Sequence, residues 1–179
     1  MLRPLLPKPV KLFLGMLSRE AGLFVQCSRL FIHEYGPTDQ SGPVLPWEHT
    51  DYYRDEMGPN LLRTFVFFEQ LIDPSKLIAV KMQAMRIEET FSLNRSGVLC
   101  RRINIDPGYL TESKVVLATT KDFPHRVYIG NGIFAESTLH FHKNKGYLPV
   151  DHTYPDFRLP RNLQAFNEAR DKLHANLKG

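Results

Sequence analysis

The side chains best suited to chemistry cluster between residues 106 and 136. They are Asp106, Tyr109, Lys121, Asp122, His125, Arg126 and Glu136. Lysine offers a phosphate or carboxylate a point charge, and arginine offers it a two-pronged donor. An imidazole titrates near neutral pH and can be oriented by a carboxylate, so His125 and Glu136 form a candidate acid–base pair. The expected site is a polar pocket for a small anionic ligand, phosphorylated or nucleotide-like. The sequence leaves catalysis open and names no cofactor.

Several motifs compete for the same residues. "GNGIFA", Gly130 to Ala135, fits the dinucleotide fingerprint G-x-G-x-x-A, and Asp151 falls where a ribose-binding acid would sit. That fingerprint needs a helix after the turn, but Ile133 to His142 alternates like a strand. Asn131-Gly132 is instead a hairpin signal. A two-residue turn there pairs Val127 with Glu136 and His125 with Thr138. His125, Glu136, Thr138, His140 and His142 then share one face, and Ile133, Ala135, Leu139 and Phe141 the other. His140 and His142 could hold an ion with His125, but Glu136 lies about 13 Å from His140 along such a strand. This face reads as solvated, with no metal site. The phosphate loop of GTP- and ATP-binding proteins is also missing, because the chain contains no Gly-Lys pair.

A different class of function is suggested by "KLFLGML", Lys11 to Leu17, which resembles the first strand of an RNA recognition motif. "RTFVFF", Arg63 to Phe68, resembles its third strand. Phe13, Phe65 and Phe67 would share the sheet face on which bases stack. The residues after 106 include an amphipathic hairpin and helix that need a surface to cover, and that face is the obvious one. Burial of all three rings would remove the RNA reading. A third reading is an adaptor that uses the Tyr-rich acidic loop 37–59 as its contact surface.

The elements that must position these residues follow from periodicity. Val10 to Leu17 is a continuous apolar run, as in a central strand, and Ser18 can cap the helix after it. Phe24, Cys27 and Phe31 mark that helix, which Gly36-Pro37 ends. A short strand is expected around Val44 to Glu48 and a longer one from Leu62 to Leu71. Asp73-Pro74 starts a helix whose apolar face is Leu77, Val80, Ala84, Ile87 and Phe91. Arg101 to Asp106 alternates, with Ile103 and Ile105 inward. The order is β-α-β-β-α-β, the ferredoxin-like split unit. Beyond it the spacing predicts a short helix capped by Thr111, strands at His125 to Ile129 and Ile133 to His142, and a last helix from Pro160 to Leu177.

The chain of 179 residues, 42% hydrophobic, can bury a core and is too apolar to be disordered. Its net charge of +4 comes from mixed signs without a basic run, so charge alone identifies no partner. Cys27 and Cys100 stand apart from any C-x-x-C pair and read as packed thiols. The start "MLRPLLPKPVKLFLGML" is a poor signal peptide, and no run is long enough to span a membrane. The expectation is a cytoplasmic protein.

The stretches "VKLFLGML", "TDYYRDEMGP", "FEQLIDP", "INIDPGYLT", "KVVLATTKDFPHRVYIGNGIFAE" and "TYPDFR" together resemble a bacterial family catalogued as domain of unknown function 4416. Some members are labelled GTP-binding. The resemblance spans nearly the whole chain and implies no catalytic residues. Its pattern includes Asp51, Tyr52, Tyr154 and Asp156 besides the seven site candidates, and it leaves out His140 and His142. The expectation is therefore a single α/β (α+β) domain over 1–179. It has a ferredoxin-like core at 9–106, on which a helix, hairpin and C-terminal helix at 107–179 pack.

Overall fold

Val10–Ser18 forms strand β1, and all nine residues are buried because layers cover both faces of the sheet. The computed structural model describes residues 5–49 and 52–178, so Asp51 lies outside the described residues. After β1 come α1 (Ala21–Tyr35), the short edge strands β2 (Thr38–Ser41) and β3 (Leu45–Trp47), and a single helical turn, α2 (Arg54–Met57). Strand β4 (Leu61–Ile72) and helix α3 (Leu77–Thr90) follow. A small hairpin, β5 (Leu93–Arg95) with β6 (Val98–Cys100), leads to β7 (Ile103–Leu110). The antiparallel order β7-β1-β4-β2 is the ferredoxin-like arrangement. The sheet continues past β7 through β8 (Lys114–Thr119), β10 (Ile133–His142) and β11 (Gly146–Pro149), and β9 (Val127–Gly130) pairs with β10.

The core falls into two layers set by strand alternation. Leu12, Leu14 and Met16 pack against α1 and α3, together with Phe24, Phe31 and Val80. Phe13, Phe65 and Phe67 point the other way, onto helix α4 (Pro160–Asn176), where the Phe166 ring lies 5.0–5.2 Å from each of them. All three are 0% exposed. Bases cannot stack on them, so the platform required by the RNA reading is closed by α4.

Three local expectations are corrected. Ser18 ends β1 and accepts the Glu20 N–H, while α1 starts without a side-chain cap. The expected helix after Thr111 is strand β8 instead. Val115 and Leu117 face α4, and Val116 and Ala118 face α3, so this run is buried on both sides as a central strand. Thr111 does cap, but it caps a turn: its hydroxyl accepts the N–H groups of Ser113 and Lys114. The ferredoxin-like core therefore runs to Leu110, through Pro107-Gly108, rather than ending at 106. Glycine is required there, since a Cβ on Gly108 would meet the Val116 carbonyl at 2.3 Å and the Phe13 ring at 2.4 Å.

The third correction concerns the hairpin register. Asn131 (φ 52°) and Gly132 (φ 74°) do form the turn, both in the left-handed region as a type I′ hairpin needs. One bulge follows at once, so Phe134 pairs with Tyr128 and Ala135 with Val127. A second bulge at Thr138 moves β10 from Ser137↔Val116 to Leu139↔Val115. Ile133 and Ala135 therefore face α3, whereas Leu139 and Phe141 face α4. The expected five-residue polar face is broken up, and His140 and His142 are left exposed. No helix among the described residues is long and apolar enough to cross a membrane.

Candidate functional site

Two polar clusters occupy one end of the sheet. The first is built around Asp106 on β7. The β7–β8 ladder covers only Gly108 to Leu110, and short of it side chains replace the backbone pairing. Lys81, buried on α3, donates to the Ile105 carbonyl at 2.8 Å and to Asp106 Oδ1 at 3.3 Å. Asn104 donates to Oδ2 at 2.7 Å, and an Arg63 terminal nitrogen stands 3.6 Å from it. Arg63 reaches this point by crossing Gly15, where a Cβ would come within 2.8 Å of its guanidinium. This is what the glycine of "KLFLGML" makes possible.

The first cluster extends through Arg101. That residue forks onto both oxygens of Glu56 at 2.7 and 2.8 Å and donates to Asn104 at 2.8 Å. Glu88 accepts the Ile105 N–H at 2.6 Å. Burial pushes the Glu88 carboxyl above its ordinary value, and the Lys81 charge only partly opposes that. Burial would raise Asp106 too, but Lys81 and Arg63 outweigh it and hold this carboxyl below its ordinary value. Burial also raises the Tyr53 hydroxyl, which lies close enough to Asp106 to feel its charge.

The second cluster is built around Glu136 on β10, which is 2% exposed. Its Oε2 accepts from Arg126 Nε at 2.7 Å and is 3.1 Å from His125 Nε2. Its Oε1 is buried and has no hydrogen-bond partner among the described residues. Arg126 spends its other nitrogens on the Lys121 carbonyl and the Tyr154 hydroxyl, both at 3.0 Å, and its guanidinium lies 4.5 Å from the Phe123 ring centre. Burial opposes the Arg126 charge, but its bonds to Glu136 and Tyr154 leave its pKa raised. The His125 and His152 rings stack at 4.2 Å. His152 arrives on a turn fastened to the bulge, because its Nε2 bonds the Ser137 carbonyl at 3.1 Å and Thr153 donates to the Thr138 carbonyl. A bulge frees ladder carbonyls and re-aims side chains in this way.

The clusters join through the turn at 154–156. Tyr154 takes Arg126, and Asp156 sits 2.8 Å from Arg63 Nε, a close ion pair without hydrogen-bond geometry. Of the seven expected residues, His125, Arg126 and Glu136 come together, Lys121 joins them through its backbone carbonyl, and Asp106 is one ion-pair chain away. His125 meets Glu136 from the turn before β9 and not as a strand neighbour. Asp122 is exposed on that loop. Tyr109 packs on the α1 and α3 side and lines a separate cleft of about 400 Å³ with Lys8, Thr111 and Lys114. A second cleft of about 300 Å³ lies beside Arg95, Arg101 and Arg102, and neither is lined by His125 or Glu136.

Sequence reasoning missed His152, Arg63, Lys81 and Tyr53 as members of these clusters. His152 follows β11 with no spacing that links it to His125. Arg63 and Lys81 lie on β4 and α3 with no spacing that links them to Asp106. In the described part of the Tyr-rich loop, Tyr53 and Trp47 lie against Leu17, Met57 and Leu61, and Lys121 Nζ sits 3.7 Å from the Tyr52 ring centre.

Residues 8–173 match the family model described as Domain of unknown function (DUF4416). No curated protein and no solved structure matches the chain.

Proposed function

We propose, on the premise that the chain belongs to the DUF4416 family, that it is a cytoplasmic protein binding a small anionic ligand at the Glu136 end of the sheet. The ligand is of the phosphorylated or nucleotide-like class. One observation supports this above the rest: the carboxylate of the cluster is sequestered inward against Arg126, while His125, His152 and Lys121 are left part-exposed. A ligand arriving from solvent would meet the two imidazoles before it met Glu136, and the Lys121 ammonium would turn toward it from the Tyr52 ring. Arg126, with all three nitrogens committed, would act as the support that holds Glu136 and the Lys121 carbonyl in position.

The test is a thermal-shift screen against guanine and adenine nucleotides and phosphorylated metabolites, run in a chelator. Ligand that binds only the folded state raises the melting temperature by mass action. The expected result is a rise that Lys121→Ala and His125→Ala each abolish. The reading is lost if no compound raises the melting temperature at millimolar concentration, or if the rise survives both substitutions.

A further inference from the structure

We propose that His125, Glu136 and His152 form a binding site for a divalent first-row transition metal. One ligand atom from each residue lies within 4.8 Å of the other two. The site is built rather than incidental, since two of its three side chains are held from behind, and His125 stacks on His152. Arg126 fixes Glu136 through Oε2, and the Ser137 carbonyl engages Nε2 of His152. An imidazole whose one nitrogen donates to a backbone carbonyl presents the other as a lone pair, the usual support of a metal-ligating histidine.

An independent observation points to a missing partner. Glu136 Oε1 is a buried carboxylate oxygen with no hydrogen bond among the described residues. Leaving such an atom unsatisfied forfeits its hydration without return, and a cation beside it removes that cost. Ligand atoms on one tetrahedral ion, at metal distances of about 2.0–2.2 Å, stand roughly 3.5 Å apart. The present spread closes by about an ångström if the half-exposed imidazoles rotate out of their parallel stack. Two imidazoles and one carboxylate, without thiolate, favour zinc, iron, cobalt or nickel over magnesium, calcium or Cu(I). Three protein ligands leave a coordination position open. The site is shared with the proposed anion site, but the inference does not depend on that reading, because the metal alone is the probe.

The experiment titrates chelator-treated full-length protein with Zn²⁺ by calorimetry, in buffer free of phosphate, and repeats the titration with Co²⁺ to read its visible d–d bands. The expected result is one equivalent bound. His125→Ala and His152→Ala, each checked for folding by circular dichroism, are expected to weaken it by at least the roughly 10–100-fold that losing an outer-shell partner costs. Glu136→Gln is expected to do the same. The double variant His140→Ala/His142→Ala is expected to bind as the parent does. Absence of stoichiometric binding, affinity unchanged in His152→Ala, or affinity lost in the His140/His142 double variant would each overturn the site. None of these outcomes bears on the anion screen, which is run with metal removed.

Discussion

Asp106 and Glu136 sit at the same end of the sheet, each against an arginine, and they are finished differently. Asp106 has a partner on both oxygens, with Lys81 on one and Asn104 and Arg63 on the other. Glu136 is the more deeply buried and, among the described residues, has partners on one oxygen alone, Oε2. A satisfied buried network ties elements together and specifies a packing. A buried carboxylate with an open oxygen beside two part-exposed imidazoles contributes less to folding than it could. That combination is what the proposed ligand and metal sites rest on. The Asp106 cluster explains how β7, α3 and β4 are fastened.

The largest test of this contrast is Asp106→Ala, which leaves Lys81 and Arg63 without their shared carboxylate. Removing one partner of a buried pair costs about 3–5 kcal/mol, so the urea midpoint should fall steeply. A change near zero would show that Asp106 is not structural. Arg126→Lys should come next. It keeps a charge but loses the forked donor that reaches Glu136, the Lys121 carbonyl and Tyr154, for an expected loss of about 1–3 kcal/mol.

Acid titration gives a smaller, signed effect. The Asp106 carboxyl is lowered in the folded state, so its contribution is present above its ordinary value of 3.8 and lost as pH falls through the folded value. Glu88 is raised, so its contribution runs the other way: it is present below 4.5 and lost as pH rises through the folded value. The stability gap between parent and Asp106→Asn should therefore shrink as pH drops below about 4. The corresponding gap for Glu88→Gln should not shrink over that interval. The smallest effect is expected at His152, where replacement by Ala should change the unfolding free energy by no more than about 0.5 kcal/mol. A large loss there would make the second cluster as structural as the first and erase the contrast.

Much of the fold was legible along the chain. The apolar run of β1, the Asp73-Pro74 helix start and the Asn131-Gly132 turn are local signals, each determined by a few neighbouring residues. Alternation put Phe13, Phe65 and Phe67 on one face, and in the structure they share one layer of the core. The strand at 114–119 was misread because Thr111 caps a turn with the same hydroxyl it would use to cap a helix. The proximity of His125, Arg126 and Glu136 was legible because they lie close in sequence around one turn.

By itself, then, the sequence determined the segments of β1, α1, β4, α3, β10 and α4, the two faces of β1 and β4, and that His125, Arg126 and Glu136 lie close along the chain. Only the tertiary structure decided that Phe13, Phe65 and Phe67 are sealed by α4, since which layer covers a face depends on a helix some hundred residues away. It alone brought His152 to His125, because the bulge at Thr138 exposes two carbonyls that a regular ladder would have consumed. Periodicity reports which way a side chain points within its own element. Long-range register and bulges decide what it meets.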